Sequence, residues 1–219
     1  CLGHVRLSEI DLSEAANQPF FDEEHILVFN GEVYNFEELR SKYKFQCQTK
    51  SDTEVIFKGL KLKGAEFLSE LNGMFALAFW NINSKTLLLA RDRLGIKPLY
   101  LYRNENYFSF SSEIKGLKSI QHELGSLTIN HSSVNAFLHL GYIPKPQTIY
   151  NEIEKFPPGH FGFYEAGDFK LQPYWSANTS IEPNIIKNEK EAKIELDELL
   201  KSSIDYRLKS DVPFGTFLS

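Results

Sequence analysis

The sequence of 219 residues predicts an α+β domain in which layered antiparallel sheets are flanked by helices. Three observations support this class. Short apolar segments separated by turn residues form three candidate hairpins, which favours antiparallel strands. Helix-capping patterns alternate with the predicted strands along the chain. Hydrophobic residues make up 42% of the chain and aromatic residues 14%, enough material for a core.

Two strands are predicted near the start of the chain. Residues 2–11 alternate apolar and polar side chains, as a half-buried strand does. The run His25–Phe29 is short and apolar, and it is followed by Asn30 and Gly31. Because Asn-Gly is a common turn dipeptide, the second strand is expected to stop there.

Two helices are predicted next, from their capping signals. Asn35 and Ser51 each stand three residues before a glutamate, the spacing of a capping box. The second of these helices is expected to end at Gly64, because glycine favours helix termination. A further short helix is predicted over Ala65–Leu71.

The middle of the chain changes to the period of strands and carries the three hairpins. Ser132 or Ser133 is then predicted to cap a helix that ends near Gly141, with Val134, Phe137 and Leu138 turned inward. The hairpins join Met74–Trp80 to Thr86–Ala90, Leu99–Arg103 to Tyr107–Ser111, and Phe161–Tyr164 to Phe169–Gln172.

A change of composition predicts a domain boundary. Residues 176–190 are rich in Asn, Ser, Thr, Pro and Lys, which is typical of a linker between a domain of residues 1–175 and the start of another at 191–219. The last segment begins with a strongly periodic helix, Glu191–Lys209, and continues into a strand-like run, Phe214–Leu218.

Composition also excludes several classes of partner. The formal net charge of -5 and the isoelectric point of about 5.7 disfavour nucleic acid and anionic membranes. The longest apolar run, Met74–Trp80, is far shorter than the roughly 20 residues of a membrane-spanning helix. Two cysteines are too few for a disulfide framework, which favours a cytoplasmic location.

Pattern alone leaves each candidate site residue with two interpretations. Asn30 and Gly31 can present a side-chain amide and a backbone N–H as an oxyanion hole, or form an ordinary turn. Arg6 can clamp a carboxylate or lie on an exposed face of its strand. Asp52 can bind an amine or cap its own helix.

Eight motifs stand in order along the chain. They are Leu2-Gly-His-Val-Arg-Leu-Ser, Phe29-Asn-Gly-Glu-Val-Tyr-Asn, Ser51-Asp-Thr-Glu, Leu71-Asn-Gly-Met-Phe-Ala, Ala90-Arg-Asp-Arg-Leu-Gly-Ile-Lys-Pro-Leu-Tyr, Ser112-Glu-Ile-Lys, Phe156-Pro-Pro-Gly-His and Ser210-Asp-Val-Pro-Phe-Gly-Thr-Phe-Leu-Ser. Taken together and in this order, they resemble the glutamine-hydrolysing asparagine synthetase family of the bacterial type. This resemblance implies a class II glutamine amidotransferase domain with the N-terminal-nucleophile hydrolase fold, followed by the start of an α/β domain of the ATP-pyrophosphatase type.

The resemblance implies a role for each matching residue of the glutamine site. Arg6 would hold the α-carboxylate of glutamine, and Asp52 would bind its α-amine. Asn30 and the backbone amide of Gly31 would form the oxyanion hole, and Glu32 would help to hold the substrate. These roles are chemically consistent, with a cation for the carboxylate and an anion for the amine.

The resemblance also implies cofactors and partners. ATP and Mg²⁺ would act in the synthetase domain of the intact enzyme. The glutaminase part would use no cofactor. Of the residues that form the ATP site, this chain would contain only Leu218 and Ser219. The substrates would be glutamine, aspartate and ATP. Assembly of the enzyme as a homodimer is compatible with the resemblance.

Cys1 departs from the family pattern. The family begins Cys-Gly-Ile, whereas Cys1 is followed by Leu-Gly-His, with Arg6 only five positions later. Cys1 is therefore expected to occupy an ordinary strand position in a chain truncated at both ends, which would not hydrolyse glutamine by itself. Three alternatives stay open: an amide hydrolase that uses an N-terminal cysteine, a non-catalytic glutamine-binding module, and a related amidotransferase with another acceptor acid.

Overall fold

The computed structural model describes residues 1–5, 10–177, 186, 188–208, 211–213 and 215. Its strands are β1 (Phe20–Phe21), β2 (His25–Val33), β3 (Gly73–Asn81), β4 (Thr86–Arg91), β5 (Tyr100–Arg103), β6 (Phe108–Ser111), β7 (Ile153–Lys155), β8 (His160–Glu165) and β9 (Asp168–Pro173). Its α-helices are α1 (Phe36–Lys42), α2 (Asp52–Lys63), α3 (Ile114–Ser119), α4 (Gln121–Leu124), α5 (His131–Leu140) and α6 (Glu189–Arg207), and 3-10 turns span Glu14–Ala16 and Gly64–Glu70.

Two antiparallel sheets form the centre of the fold. The larger has the strand order β1-β2-β3-β4-β8-β9 and the smaller the order β6-β5-β7. Helices α1 and α2 pack on the outer face of the larger sheet through a core that includes Leu39 and Ile56. Helices α3 and α4 cover the smaller sheet through Leu117 and Leu124. The predicted α+β class with layered antiparallel sheets is thus confirmed.

The alternation of side chains along β3 shows how the layers are held together. Phe75, Leu77 and Phe79 join the core beneath α1 and α2. Ala76 and Ala78 point the other way, into the core between the two sheets. Because successive residues of a strand face opposite sides, a strand such as β3 that is buried on both faces has a continuous run of apolar residues in its sequence.

The prediction that the second strand stops at Asn30 is wrong. Strand β2 continues to Val33, and its pairing with β3 includes Asn30 with Ala76 and Gly31 with Phe75. A Cβ atom on Gly31 would lie 2.1 Å from the Met74 carbonyl oxygen. The glycine therefore permits a close approach of two strands, which in sequence looks the same as a turn signal.

Most of the other local predictions are confirmed. The Ser51 side chain accepts the Thr53 N–H at 3.1 Å and caps α2, which ends at Gly64. Helix α1 begins directly after Asn35, but the predicted side-chain cap is absent, because the Asn35 amide bonds the Glu70 carbonyl and the Asn72 N–H instead. A 3-10 turn occupies the predicted short helix. All three hairpins form, as β3–β4, β5–β6 and β8–β9.

Two predictions about buried elements are wrong. Residues 1–5 form no strand, and Val5 is 98% exposed, so its side chain has no sheet face to cover. Helix α5 is capped by Asn130, whose side chain accepts the Ser133 N–H, and it exposes Phe137 and Leu138. Helical periodicity identifies an apolar face but does not show whether anything in the described chain covers it.

Helix α6 agrees with the helix predicted before the end of the chain, and none of its residues is buried. Near its C-terminal end the Tyr206 hydroxyl donates to Glu38 Oε1 of α1 at 2.6 Å. Most of the predicted linker and most of the run Phe214–Leu218 lie outside the described residues. No helix of the described chain is both long enough and apolar enough to span a membrane.

Candidate functional site

A pocket of about 130 Å³ lies at the edge of β2 that faces away from β3. Among the described residues, β1 pairs with Ile26 and Leu27 alone, and no described strand flanks this edge of β2 from Phe29 onward. An uncovered strand edge presents backbone N–H and C=O groups. The pocket is lined by His4, Val5, Ile10, Gln18, Phe29, Asn30, Gly31, Glu32, Ser51, Asp52, Thr53 and Lys97.

Two backbone N–H groups at this edge are bonded by side chains. The Phe29 N–H donates to Gln18 Oε1 at 2.6 Å, and Gln18 Nε2 donates back to the Phe29 carbonyl at 2.8 Å. The Val33 N–H donates to Asp52 Oδ2 at 2.9 Å. Side chains therefore replace a neighbouring strand on both sides of Gly31.

The backbone N–H of Gly31 points into the pocket. Along a strand, every second N–H faces the same edge, so Gly31 shares the direction of Phe29 and Val33. The partner of Gly31 on β3 is Phe75, whose own N–H and C=O bond to Asp92 on the far side of β3. That pairing does not use the Gly31 N–H, and no acceptor for this N–H occurs among the described residues, so it can donate to a ligand.

The Asn30 side chain lies on the face of β2 that looks toward the smaller sheet. It lines both the pocket and an adjoining groove of about 580 Å³ between the sheets. Asn30 Nδ2 donates to the Ser112 hydroxyl at 3.2 Å, directly after β6. The side-chain amide and the neighbouring Gly31 N–H thus reach the same edge of the sheet.

Asp52 is the first residue of α2 and is 5% exposed. Because Ser51 caps the helix, the Asp52 carboxylate is not needed for that purpose. Burial raises the pKa of Asp52 to about 6, and the hydrogen bond from the Val33 N–H opposes this rise. A buried carboxylate of this kind favours the approach of a cation.

The loop after β4 is fixed by two adjacent charged residues, and it carries Lys97 to the pocket wall. The Arg91 guanidinium donates to the carbonyl oxygens of Gly95, Lys97 and Phe156 at 2.6–2.7 Å. The Asp92 carboxylate accepts the Lys97 N–H at 3.0 Å. The half-buried Lys97 forms no ion pair with any residue in the described ranges.

Four of the predicted site residues, Asn30, Gly31, Glu32 and Asp52, line this one pocket. Arg6 lies outside the described residues, so its position relative to them is not part of the structure.

The other predicted site residues do not join the pocket. Cys1 lines a separate shallow pocket with Leu2, Pro19, Phe21, Ile26 and Trp80. Leu218 and Ser219 lie outside the described residues. Among the residues that are described, no group of three His, Cys, Asp or Glu side chains is placed to hold a metal ion.

Sequence reasoning missed three contributors to the site. Gln18 lies in none of the quoted motifs and is brought to the pocket by a loop, whereas Lys97 belongs to the motif of residues 90–100, in which it was given no role. Ser112 belongs to a motif that was recognised as part of the family pattern but was given no role. Its hydrogen bond to Asn30 spans 82 positions of the sequence and depends on the stacking of the sheets.

The chain is similar to known proteins both in sequence and in fold. The family model for the glutamine amidotransferase domain matches residues 1–175. A putative glutamine-hydrolysing asparagine synthetase 2 of Methanocaldococcus jannaschii is 34% identical over 100% of this chain and 45% of its own length. Glutamine-hydrolysing asparagine synthetase 1 of Bacillus subtilis is 35% identical over 99% of this chain and 34% of its own length. The chain therefore spans less than half the length of these relatives.

A solved structure supports the fold. The glutamine phosphoribosylpyrophosphate amidotransferase of B. subtilis superimposes with a TM-score of 0.53 and 20% identity, over 78% of this chain and 34% of that one. This likeness confirms the predicted N-terminal-nucleophile type of fold. It does not extend to the predicted start of an ATP-pyrophosphatase-type domain.

Proposed function

The chain belongs to the glutamine amidotransferase domain family, and from this membership we propose that the pocket at the edge of β2 binds L-glutamine for release of its amide nitrogen as ammonia. One observation carries the proposal. The N–H of Gly31, which has no acceptor among the described residues, the Asn30 amide and the buried Asp52 carboxylate line a single pocket of about 130 Å³. These are the donors and the anion that an amino acid with a side-chain amide requires.

The α-amino and α-carboxylate groups of glutamine are recognised by opposite charges in this proposal. The ammonium group pairs with the Asp52 carboxylate, and Glu32 adds a second negative charge at the pocket wall. Arg6 receives the α-carboxylate, as the family resemblance implies, with Lys97 as a second cation at the same pocket. Charge-assisted bonds of this kind give both affinity and orientation.

The side-chain amide of glutamine is placed at the Asn30–Gly31 edge. Its oxygen accepts hydrogen bonds from the Gly31 N–H and from Asn30 Nδ2. When a nucleophile adds to the amide carbon, this oxygen becomes negative and both bonds strengthen. Each such donor contributes roughly 3–4 kcal/mol to the transition state. Ammonia then leaves, and water releases glutamate from the nucleophile.

We place this domain in a glutamine-hydrolysing asparagine synthetase, because the relatives with that name match nearly the whole chain. The ammonia would convert aspartate to asparagine after ATP and Mg²⁺ activate the aspartate carboxylate. Leu218 and Ser219 are the proposed contribution of this chain to the ATP site. The partners are small molecules in the cytoplasm, and a homodimer is compatible with the proposal.

The test compares two nitrogen sources in the protein that contains this domain. Asparagine formation from aspartate and ATP is measured with glutamine or with ammonium chloride. We expect Asp52→Asn to weaken strongly the reaction with subsaturating glutamine and to spare the reaction with ammonium. A wild-type protein that binds no glutamine by calorimetry contradicts the glutamine site. Glutamine-dependent consumption of ATP without asparagine would point to another acceptor acid.

A further inference from the structure

The Asn30 side chain is held from the opposite sheet. Its Nδ2 donates to Ser112 Oγ at 3.2 Å, and no other side-chain partner of Asn30 occurs in the part of the chain that the structure describes. Asn30 lies on β2 of the larger sheet, whereas Ser112 follows β6 of the smaller one. The contact lies where the pocket adjoins the groove between the sheets, because Asn30 lines both.

An asparagine amide needs such a contact to act as a fixed donor. The terminal torsion of asparagine is broad, so the plane of an unrestrained amide rotates readily. The NH₂ group carries two hydrogens, and a hydroxyl oxygen occupies only one of them. With Ser112 bonded to the first hydrogen, the second is held in a defined direction for a ligand oxygen.

We infer that Ser112 is a positioning residue for the glutamine site, and that it orients the Asn30 amide toward the side-chain oxygen of the substrate. This role rests on the glutamine-binding function proposed above. Ser112 does not itself touch the substrate, since it lines the groove and not the pocket. Its effect therefore reaches the ligand only through Asn30.

A purely structural role for Ser112 makes a different prediction. If the hydroxyl only joined the two sheets, its removal would lower stability and affect all ligands of the pocket equally. A positioning role acts on one part of the ligand, because the Asn30 amide meets the side-chain oxygen and not the α-amino or α-carboxylate group. The two roles are separated by comparing ligands with and without that oxygen.

The experiment uses L-glutamine and L-norvaline, which retains the α-groups and the alkyl chain but lacks the side-chain amide. Dissociation constants are measured by calorimetry for the wild-type chain and for Ser112→Ala, Ser112→Cys and Ser112→Thr. Ser111→Ala is the matched control, because within the described ranges the Ser111 hydroxyl bonds nothing except the nearby Glu113 N–H, which it accepts at 3.3 Å. Thermal unfolding confirms that each variant is folded.

We expect Ser112→Ala and Ser112→Cys to raise the dissociation constant of glutamine about 2- to 10-fold, the effect of one hydrogen bond. The constant for norvaline should not change, and Ser112→Thr should restore glutamine binding. In an Asn30→Ala background, Ser112→Ala should have no further effect, because coupled residues are not additive.

Three outcomes overturn the positioning role while leaving the glutamine site intact. They are an unchanged glutamine affinity in Ser112→Ala, an equal loss for both ligands, and additivity with Asn30→Ala. A wild-type chain that binds neither ligand contradicts the glutamine site itself, and the positioning role with it.

Discussion

The backbone N–H of Val33 donates to Asp52 Oδ2 at 2.9 Å, so the end of β2 is tied to the first turn of α2. The other carboxylate oxygen, Oδ1, lies 3.4 Å from the Ser51 hydroxyl and 3.5 Å from the Thr53 hydroxyl. These distances are at the upper limit of a hydrogen bond. The backbone N–H of Thr53 also acts on this carboxylate. Asp52 thus bonds Val33 through Oδ2, and Oδ1 is the oxygen that we expect a ligand to engage.

We predict that Asp52→Asn removes most of the glutamine affinity. The amide keeps an oxygen for the Val33 N–H, so the fold is expected to survive. The ammonium group of glutamine loses its anionic partner, which corresponds to an increase of about 10- to 100-fold in the dissociation constant. Calorimetric titration checks this, with the exposed Asp197→Asn as control. Unchanged affinity in Asp52→Asn would remove Asp52 from the site.

Glutamine affinity should fall as the pH is lowered through about 6. The raised pKa of Asp52 means that the free carboxyl is protonated below that value, and a neutral carboxyl does not attract an ammonium group. Between pH 7 and pH 5 the loss should be roughly tenfold. Titrations in buffers of different ionisation enthalpy should also show proton release on binding. A flat profile between pH 7 and pH 5 would contradict this assignment.

We predict that Gly31→Ala and Gly73→Ala both destabilise the protein, and that Gly31→Ala does so more strongly because Gly31 also has a φ of 154°. A Cβ on Gly31 meets the Met74 carbonyl oxygen at 2.1 Å, and one on Gly73 meets the Glu32 carbonyl oxygen at 2.2 Å. Such crowding costs about 1–3 kcal/mol or more. Urea unfolding measures the change, and Gly3→Ala, which has open space around it, is the control. A loss confined to Gly31→Ala would argue against strand crowding as the cause.

Arg91→Lys should weaken the loop that carries Lys97. The planar guanidinium serves three carbonyl oxygens, and a lysine ammonium cannot reproduce that fork. Because the carbonyls would lose their donors, we expect a loss of about 2–4 kcal/mol in the free energy of unfolding. The adjacent Arg93→Lys is the matched control, since Arg93 donates a single bond to the Ser69 carbonyl. Equal effects of the two substitutions would contradict a special role for Arg91.

The sequence predicts elements well where the signal is local. The caps and hairpins depend on neighbouring residues, so α2 and the β3–β4 hairpin occur where expected. The predicted end of the strand at Asn30-Gly31 was wrong because a turn and a close approach of two paired strands both favour glycine. Only the tertiary structure distinguishes the two cases. The inward assignment of Phe137 failed for a related reason, since burial depends on a partner that periodicity does not reveal.

The candidate site was predictable in part. Asn30, Gly31, Glu32 and Asp52 belong to two motifs that the family resemblance joins, and they do line one pocket. The bond between Asn30 and Ser112 was not predictable, because it depends on how two sheets are stacked. The raised pKa of Asp52 was equally hidden, since its cause is burial beneath other elements.

The final prediction is that Cys1 contributes nothing to glutamine chemistry. Its pocket shares no lining residue with the pocket at Asn30 and Asp52. Cys1 lies instead beside Ile26, four positions before Asn30 on β2. Four strand residues span about 13 Å, whereas a nucleophile must approach the amide carbon to about 3–3.5 Å.

We therefore expect no difference between the wild-type chain and Cys1→Ala in glutamine affinity or in ammonia release. Ammonia is measured with a coupled glutamate dehydrogenase assay on freshly purified, reduced protein. Cys47→Ala serves as the matched control, because it removes the other thiol of the chain. Ammonia release that is present in the wild-type chain and in Cys47→Ala but lost in Cys1→Ala would make Cys1 the nucleophile. It would also require residues 1–5 to move, because Cys1 would have to reach the Gly31 edge of β2.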